Sequence, residues 1–208
     1  MTDHARTSTY LALGDSYTIG EGVAEDGRWP LQLARALGSE GIALAEPHIV
    51  ATTGWTTDEL DAAIDAAQPP CDYDLVSLLI GVNDQYRGRE LGQYRERFAA
   101  LLRRAIGFAG GRADRVLVMS IPDWGATRYG RDSARDLRQV ARELDAYNAA
   151  ARDICAQHGV AFVDITTASR EHDGDGAMLA DDGLHPSEAM YAEWTRLALP
   201  TARRLLAA

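Results

Sequence analysis

Short stretches scattered along this chain carry side chains suited to nucleophilic acyl transfer. Gly14-Asp15-Ser16 supplies a hydroxyl, Gly54 follows the small residues Ala51-Thr52-Thr53, and Gly81-Val82-Asn83-Asp84 supplies a carboxamide. Asp182-Gly183-Leu184-His185-Pro186 adds a carboxylate and an imidazole. Acyl transfer needs a hydroxyl, a base to take its proton, a group to orient the base and donors for the developing oxyanion. Every role has a candidate. Asp182 and His185 are three residues apart, so one turn can present both groups on the same side. Asp181 competes with Asp182 as orienter at a spacing one residue longer. Asn83 offers an N–H donor that gives up no proton, and Gly54, without a Cβ, lets backbone approach a substrate. Each residue alone also has a bland reading: a capping serine, a turn asparagine, a surface histidine before proline. Asp15 and Asp84 read as turn-structuring carboxylates that accept backbone N–H bonds.

The elements that must position these residues follow from the apolar pattern. Tyr10 to Leu13 is an apolar run that reads as a strand buried on both faces, which puts Ser16 at its C-terminal end. Trp29 to Leu37 reads as a helix opened by Pro30 and stopped by Gly38, and Ile42 to Val50 as a second strand, with Pro47 marking an edge or an irregularity. Thr56 and Glu59 have capping-box spacing for a helix that Pro69-Pro70 ends. Asp74 to Ile80 is the clearest strand; a helix through Tyr94, Phe98 and Leu102 ends at Gly110-Gly111. Arg115 to Ile121 reads as a strand, Leu137 to Cys155 as a helix stopped by Gly159, and Val160 to Ile165 as the last strand. Thr166 to Asp181 reads as a polar loop in which Glu171, His172, Asp173 and Asp175 miss the spacing of a calcium loop. A closing helix begins near Ser187. Alternating strands and helices predict an α/β domain with a parallel sheet and right-handed crossovers.

Composition narrows the function. At 208 residues the chain fits a single domain over 1–208. The net charge of -10 opposes binding to nucleic acid or anionic membranes, and no apolar run approaches the roughly 20 residues of a membrane span. All 21 basic residues are Arg, which excludes a Schiff-base lysine, a Walker-type lysine and a Ser-Lys dyad. Met1 to Thr9 lacks the apolar core of a signal peptide, and Cys71 and Cys155 lie far apart, so the expectation is a cytoplasmic protein with both thiols reduced. No metal or cofactor motif is present, and oligomeric state is not legible.

Taken in order and context, Gly14-Asp15-Ser16, Gly54, Gly81-Val82-Asn83-Asp84 and Asp182-x-x-His185-Pro186 resemble the signature blocks of the SGNH or GDSL hydrolases, and they span most of the chain. The resemblance implies a three-layer α/β/α flavodoxin-like fold with a five-stranded parallel sheet. It implies metal-independent esterase or lipase-like cleavage of a small acyl ester, with Ser16 as nucleophile, His185 as base and Asp182 as its orienter. It places the oxyanion hole at the backbone N–H groups of Ser16 and Gly54 and the amide of Asn83. An acyltransferase on the same apparatus is one alternative. A non-catalytic module holding an anion after the first strand is another, though it leaves Asn83, Asp182 and His185 unexplained. The G-x-S-x-G pattern of the common α/β-hydrolases is not met. Trp55, Tyr86, Trp124 and Tyr129 fall in loops on the catalytic edge, either lining an acyl pocket or packing the loops. Arg87, Arg89, Arg128 and Arg131 are either surface cations or anchors for an anionic part of the substrate.

Overall fold

The computed structural model describes residues 7–207; the reading of the extreme N-terminus as free of a signal peptide falls mainly on residues outside that range. Strands β1 (Tyr10–Gly14), β2 (His48–Ala51), β3 (Leu75–Leu79), β4 (Val116–Met119) and β5 (Ala161–Val163) form one parallel sheet in the order β2-β1-β3-β4-β5. Every residue of β1 and β3 is buried, which is why both read as continuous apolar runs rather than alternating ones. The polar exception, Ser77, pairs its hydroxyl with that of Tyr10 at 2.9 Å.

The helices are α1 (Ser16–Ile19), α2 (Trp29–Ser39), α3 (Thr57–Ala67), α4 (Val82–Tyr86), α5 (Leu91–Phe108), α6 (Arg128–Asp132), α7 (Leu137–His158), α8 (Thr166–Glu171) and α9 (Glu188–Ala207). α2 packs on α9 to cover one face of the sheet, and α3, α5 and α7 pack in series on the other. Trp29, Leu33, Tyr191 and Trp194 fill the first interface, and Tyr94, Phe98, Leu101 and Leu144 the second. The chain leaves β1 in one direction to reach β2, then crosses back past β1 to β3. The strand order therefore reverses at the β1–β3 pair, and loops leaving the C-terminal ends of those strands diverge to open a crevice there. Among the described residues no helix is long and apolar enough to cross a membrane.

Several boundaries differ from the sequence reading. β2 starts at His48 rather than Ile42, because Pro47 has no N–H for the ladder; upstream only a single bridge, Ser8 to Leu44, forms. β2 is an edge strand. Gly38 does not stop α2, which continues through Ser39. β4 and β5 are each shorter at both ends than the apolar runs that contain them. The expected polar loop after β5 contains α8, started by the Asp164 carboxylate, which accepts the N–H of Thr166 at 2.9 Å and of Thr167 at 3.3 Å. The capping box forms as read: the Thr56 N–H donates to Glu59 at 2.9 Å.

Candidate active site

Ser16 stands in the first position of α1, a single helical turn at the end of β1, and not in an open loop. Asp15 caps that turn: its carboxylate accepts the Tyr17 N–H at 3.0 Å, and its carbonyl accepts from Thr18 and Ile19 at 3.0 Å each. At a helix start the first N–H groups have no intrahelical acceptor, and among the described residues the Ser16 N–H has none. The Ser16 hydroxyl likewise bonds to no described residue, and Ser16 lines a cavity.

Asp15 is completely buried, with one carboxyl oxygen lacking a partner among the described residues. Burial pushes its pKa up to about 8, with the Tyr17 N–H opposing and the nearby charge of Asp84 adding to the rise. Burial thus holds Asp15 toward its neutral form. The unfolded chain releases this proton in the ordinary carboxylate range while the folded chain holds it to about pH 8. Stability from Asp15 is therefore fully present below about pH 4 and declines between about pH 4 and pH 8, by a few kcal/mol. Asp15→Asn stays neutral and keeps the acceptor for Tyr17, so its stability should decline less over that interval. Urea titrations at about pH 5 and pH 8 measure this; an equal loss at both values would mean that Asp15 folds in its charged form.

Asn83 occupies the second position of α4, at the end of β3. Its amide donates one hydrogen to the Trp55 carbonyl at 2.9 Å, joining this helix to the loop after β2 and leaving the second hydrogen without an acceptor among the described residues. In that loop Gly54 has φ +87°, and its N–H finds no acceptor among the described residues. A Cβ at Gly54 would meet nothing within 4 Å, so the glycine is required by its left-handed backbone and not by a close approach. The loop is held from below by Asp84, fully buried, which accepts the Thr57 N–H at 2.9 Å and the Thr57 hydroxyl at 2.7 Å.

On the turn before α9, the His185 Nδ1–H donates to Asp182 Oδ2 at 2.6 Å. Asp182, and not Asp181, takes the ring because its other oxygen accepts the N–H groups of Leu184 at 2.8 Å and His185 at 3.0 Å, which folds the turn around the carboxylate. Partial burial raises the Asp182 pKa, but the bonds from the ring and the two amides outweigh it and hold it below the usual carboxylate range. With Nδ1 engaged, Nε2 is the nitrogen left for proton transfer. Tyr17 meets the imidazole edge-on at 6.0 Å and itself rests on Trp194.

Ser16, Asn83 and His185 share one cavity of about 190 Å³. Its other walls are Tyr17, Val82, Tyr86, Trp124, Tyr129 and Leu184. Tyr17, Val82 and Leu184 escaped the sequence reading, although each is the immediate neighbour of a singled-out residue. Trp124 is held by its indole N–H, which donates to Gln85 at 2.9 Å.

Two expected substrate contacts are placed elsewhere. Trp55 does not line the cavity; it packs half-buried against the core and offers its carbonyl to Asn83. Arg128 does not line it either: its guanidinium donates to the Asp181 carbonyl at 2.7 Å and covers Gly183. The other arginines are also engaged within the chain. Arg87 donates to the Gly54 carbonyl at 2.7 Å, Arg89 pairs with Asp58 and Asp84, and Arg131 pairs with Asp173 at 2.6 Å. These arginines brace the loops that carry the site. Cys155 is buried and its thiol is pushed up to about 12, which removes it as a nucleophile.

A parallel sheet between two helical layers, with a serine turn, a carboxamide and a His–Asp pair brought to one crevice at the strand-order reversal, defines a flavodoxin-like α/β/α hydrolase class. The chain belongs to the GDSL-like lipase/acylhydrolase family, which matches residues 12–193, and it is an ester-cleaving hydrolase. Among solved structures it is similar to TesA, with a TM-score of 0.74 at 22% identity over 95% of this chain and 99% of that one. It is also similar to the lipase/acylhydrolase from Enterococcus faecalis, with a TM-score of 0.72 at 20% identity over 95% and 96% of the two chains. Axe2, an acetylxylan esterase from Geobacillus stearothermophilus, gives a TM-score of 0.69 at 21% identity over 94% of each. None of the curated proteins matches the sequence.

Proposed function

We propose that the chain is a serine esterase that hydrolyses small acyl esters through Ser16, His185 and Asp182. The observation that carries this reading is a cavity bounded by Ser16, Asn83 and His185, with His185 tied to Asp182 at 2.6 Å. Ser16 Oγ attacks the ester carbonyl as His185 Nε2 takes its proton, and Asp182 steadies the imidazolium that results. The carbonyl oxygen, now negative, is met by the N–H groups of Ser16 and Gly54 and by the free amide hydrogen of Asn83. Collapse expels the alcohol, which receives the proton from His185. Water then attacks the acyl-serine with His185 again as base, releasing the acid and restoring Ser16.

Steady-state hydrolysis of p-nitrophenyl butyrate tests this reading, with Asn83→Ala as the discriminating variant. Its kcat should fall roughly 10²- to 10³-fold at little change in KM, because the donor acts chiefly in the transition state. Absence of hydrolysis by the wild-type chain sinks the esterase reading, and a defect confined to KM makes Asn83 a ground-state binding group.

A further inference from the structure

Tyr86 and Tyr129 are the exposed large apolar side chains among the described residues, 38% each, yet both line the cavity. Their hydroxyls are hydrogen-bonded at 2.7 Å. Tyr86 ends α4, three residues after Asn83. Tyr129 lies in α6, and its N–H donates to the Gly183 carbonyl at 2.9 Å, inside the turn that carries Asp182 and His185. One ring thus sits on the helix that carries the carboxamide, and the other is tied to the turn that carries the imidazole. The phenol–phenol bond joins the two walls at the rim.

Neither ring is loose. Arg135 lies over Tyr86 at 4.8 Å from the ring centroid and donates to the Tyr86 carbonyl at 2.8 Å. Trp124, itself held by Gln85, packs against Tyr86 at 5.4 Å and Tyr129 at 6.2 Å. The half-open space of about 190 Å³ compares with the roughly 150 Å³ apolar cavity that accommodates benzene. It therefore takes an acyl group of about five to eight heavy atoms. A longer chain that runs toward this rim meets the two hydrogen-bonded rings.

Resting on the esterase reading, we infer that this space is the acyl pocket for short acyl groups, of butyryl to benzoyl size, and that the Tyr86–Tyr129 pair is a clasp that sets the length limit. The clasp acts on selectivity because a short acyl group leaves it closed while a long one must break it. A neutral hydrogen bond at an exposed site shifts such a ratio about threefold to tenfold.

The test is kcat/KM for p-nitrophenyl acetate, butyrate, hexanoate, decanoate and benzoate in wild type, Tyr86→Phe, Tyr129→Phe and the double variant, each checked for folding by its melting temperature. Wild type should favour butyrate, hexanoate or benzoate and handle decanoate at least about tenfold less well. Each single variant should raise the decanoate-to-butyrate ratio about threefold to tenfold, and the double variant no further, since both changes cut the same bond. A wild type that prefers decanoate overturns the inference alone. So do a ratio that moves in fewer than both single variants and effects that multiply in the double variant. No turnover of any ester overturns the esterase reading together with the inference built on it.

Discussion

Ser16→Ala should lower kcat for ester hydrolysis on the order of 10⁶-fold while leaving the protein folded, the scale of loss when a serine hydrolase loses its nucleophile. The size follows from the site: the remaining donors can still hold an oxyanion, but no other group at the end of β1 can form the acyl intermediate. The folded state should tolerate the change because the Ser16 hydroxyl bonds to no described residue and because alanine suits the first turn of α1. The melting temperature should correspond to a stability within about 0.5 kcal/mol of wild type. A fluorophosphonate gives an independent readout: Ser16 Oγ forms the P–O bond, fluoride leaves, and mass spectrometry should find the adduct on the peptide that carries Ser16 in wild type only. A folded Ser16→Ala protein with wild-type turnover, or an adduct on another residue, removes Ser16 from the role of nucleophile.

Asp182→Asn carries the second large effect, a loss of about 10⁴ in kcat, as when the carboxylate of a Ser-His-Asp triad becomes an amide. Asp182 Oδ1 accepts two backbone N–H groups and Oδ2 accepts the ring N–H. Asparagine can keep the turn only by placing its carbonyl oxygen on the two amides, and its NH₂ then points at His185 Nδ1. A donor there moves the ring proton to Nε2, the nitrogen that accepts from Ser16 in the proposed mechanism. The damage to turnover is therefore chemical, and unfolding curves at neutral pH should shift only by the modest stability that the ionised carboxylate contributes.

The pH dependence separates the two groups of the pair. Only neutral imidazole can accept the serine proton, so wild-type kcat/KM should rise with pH along one acid limb. Asp182, held below the usual carboxylate range, stays ionised along that limb. Its contribution to stability has the opposite sense from that of Asp15: it is present above the unfolded carboxylate value and is lost as pH falls through the lower folded value. An Asp182→Asn enzyme within tenfold of wild type, with the same acid limb, would make the carboxylate a turn former and nothing more.

What could be read from the chain alone was whatever depends on near neighbours. The apolar runs of β1 and β3, the capping box at Thr56 and Glu59, and the long stripe of α7 are local patterns, and each formed near its expected place. Ser16, Gly54, Asn83, Asp182 and His185 stood out because small and polar residues interrupt or follow such runs at strand ends. α1 and α4 were invisible because one turn of helix has no period to detect. Tertiary structure alone decided the rest, since it depends on distances between segments remote in sequence. It assigned His185 to Asp182 through the amides of the turn, drew Arg128 and Arg87 into bracing loops, and turned Trp55 away from the cavity. It also brought Tyr86 and Tyr129, 43 residues apart, to one hydrogen bond across the rim. Composition and spacing say which groups an edge can offer. Which of them meet is set by how the strand order reverses between β1 and β3 and by how the helices pack behind those strands.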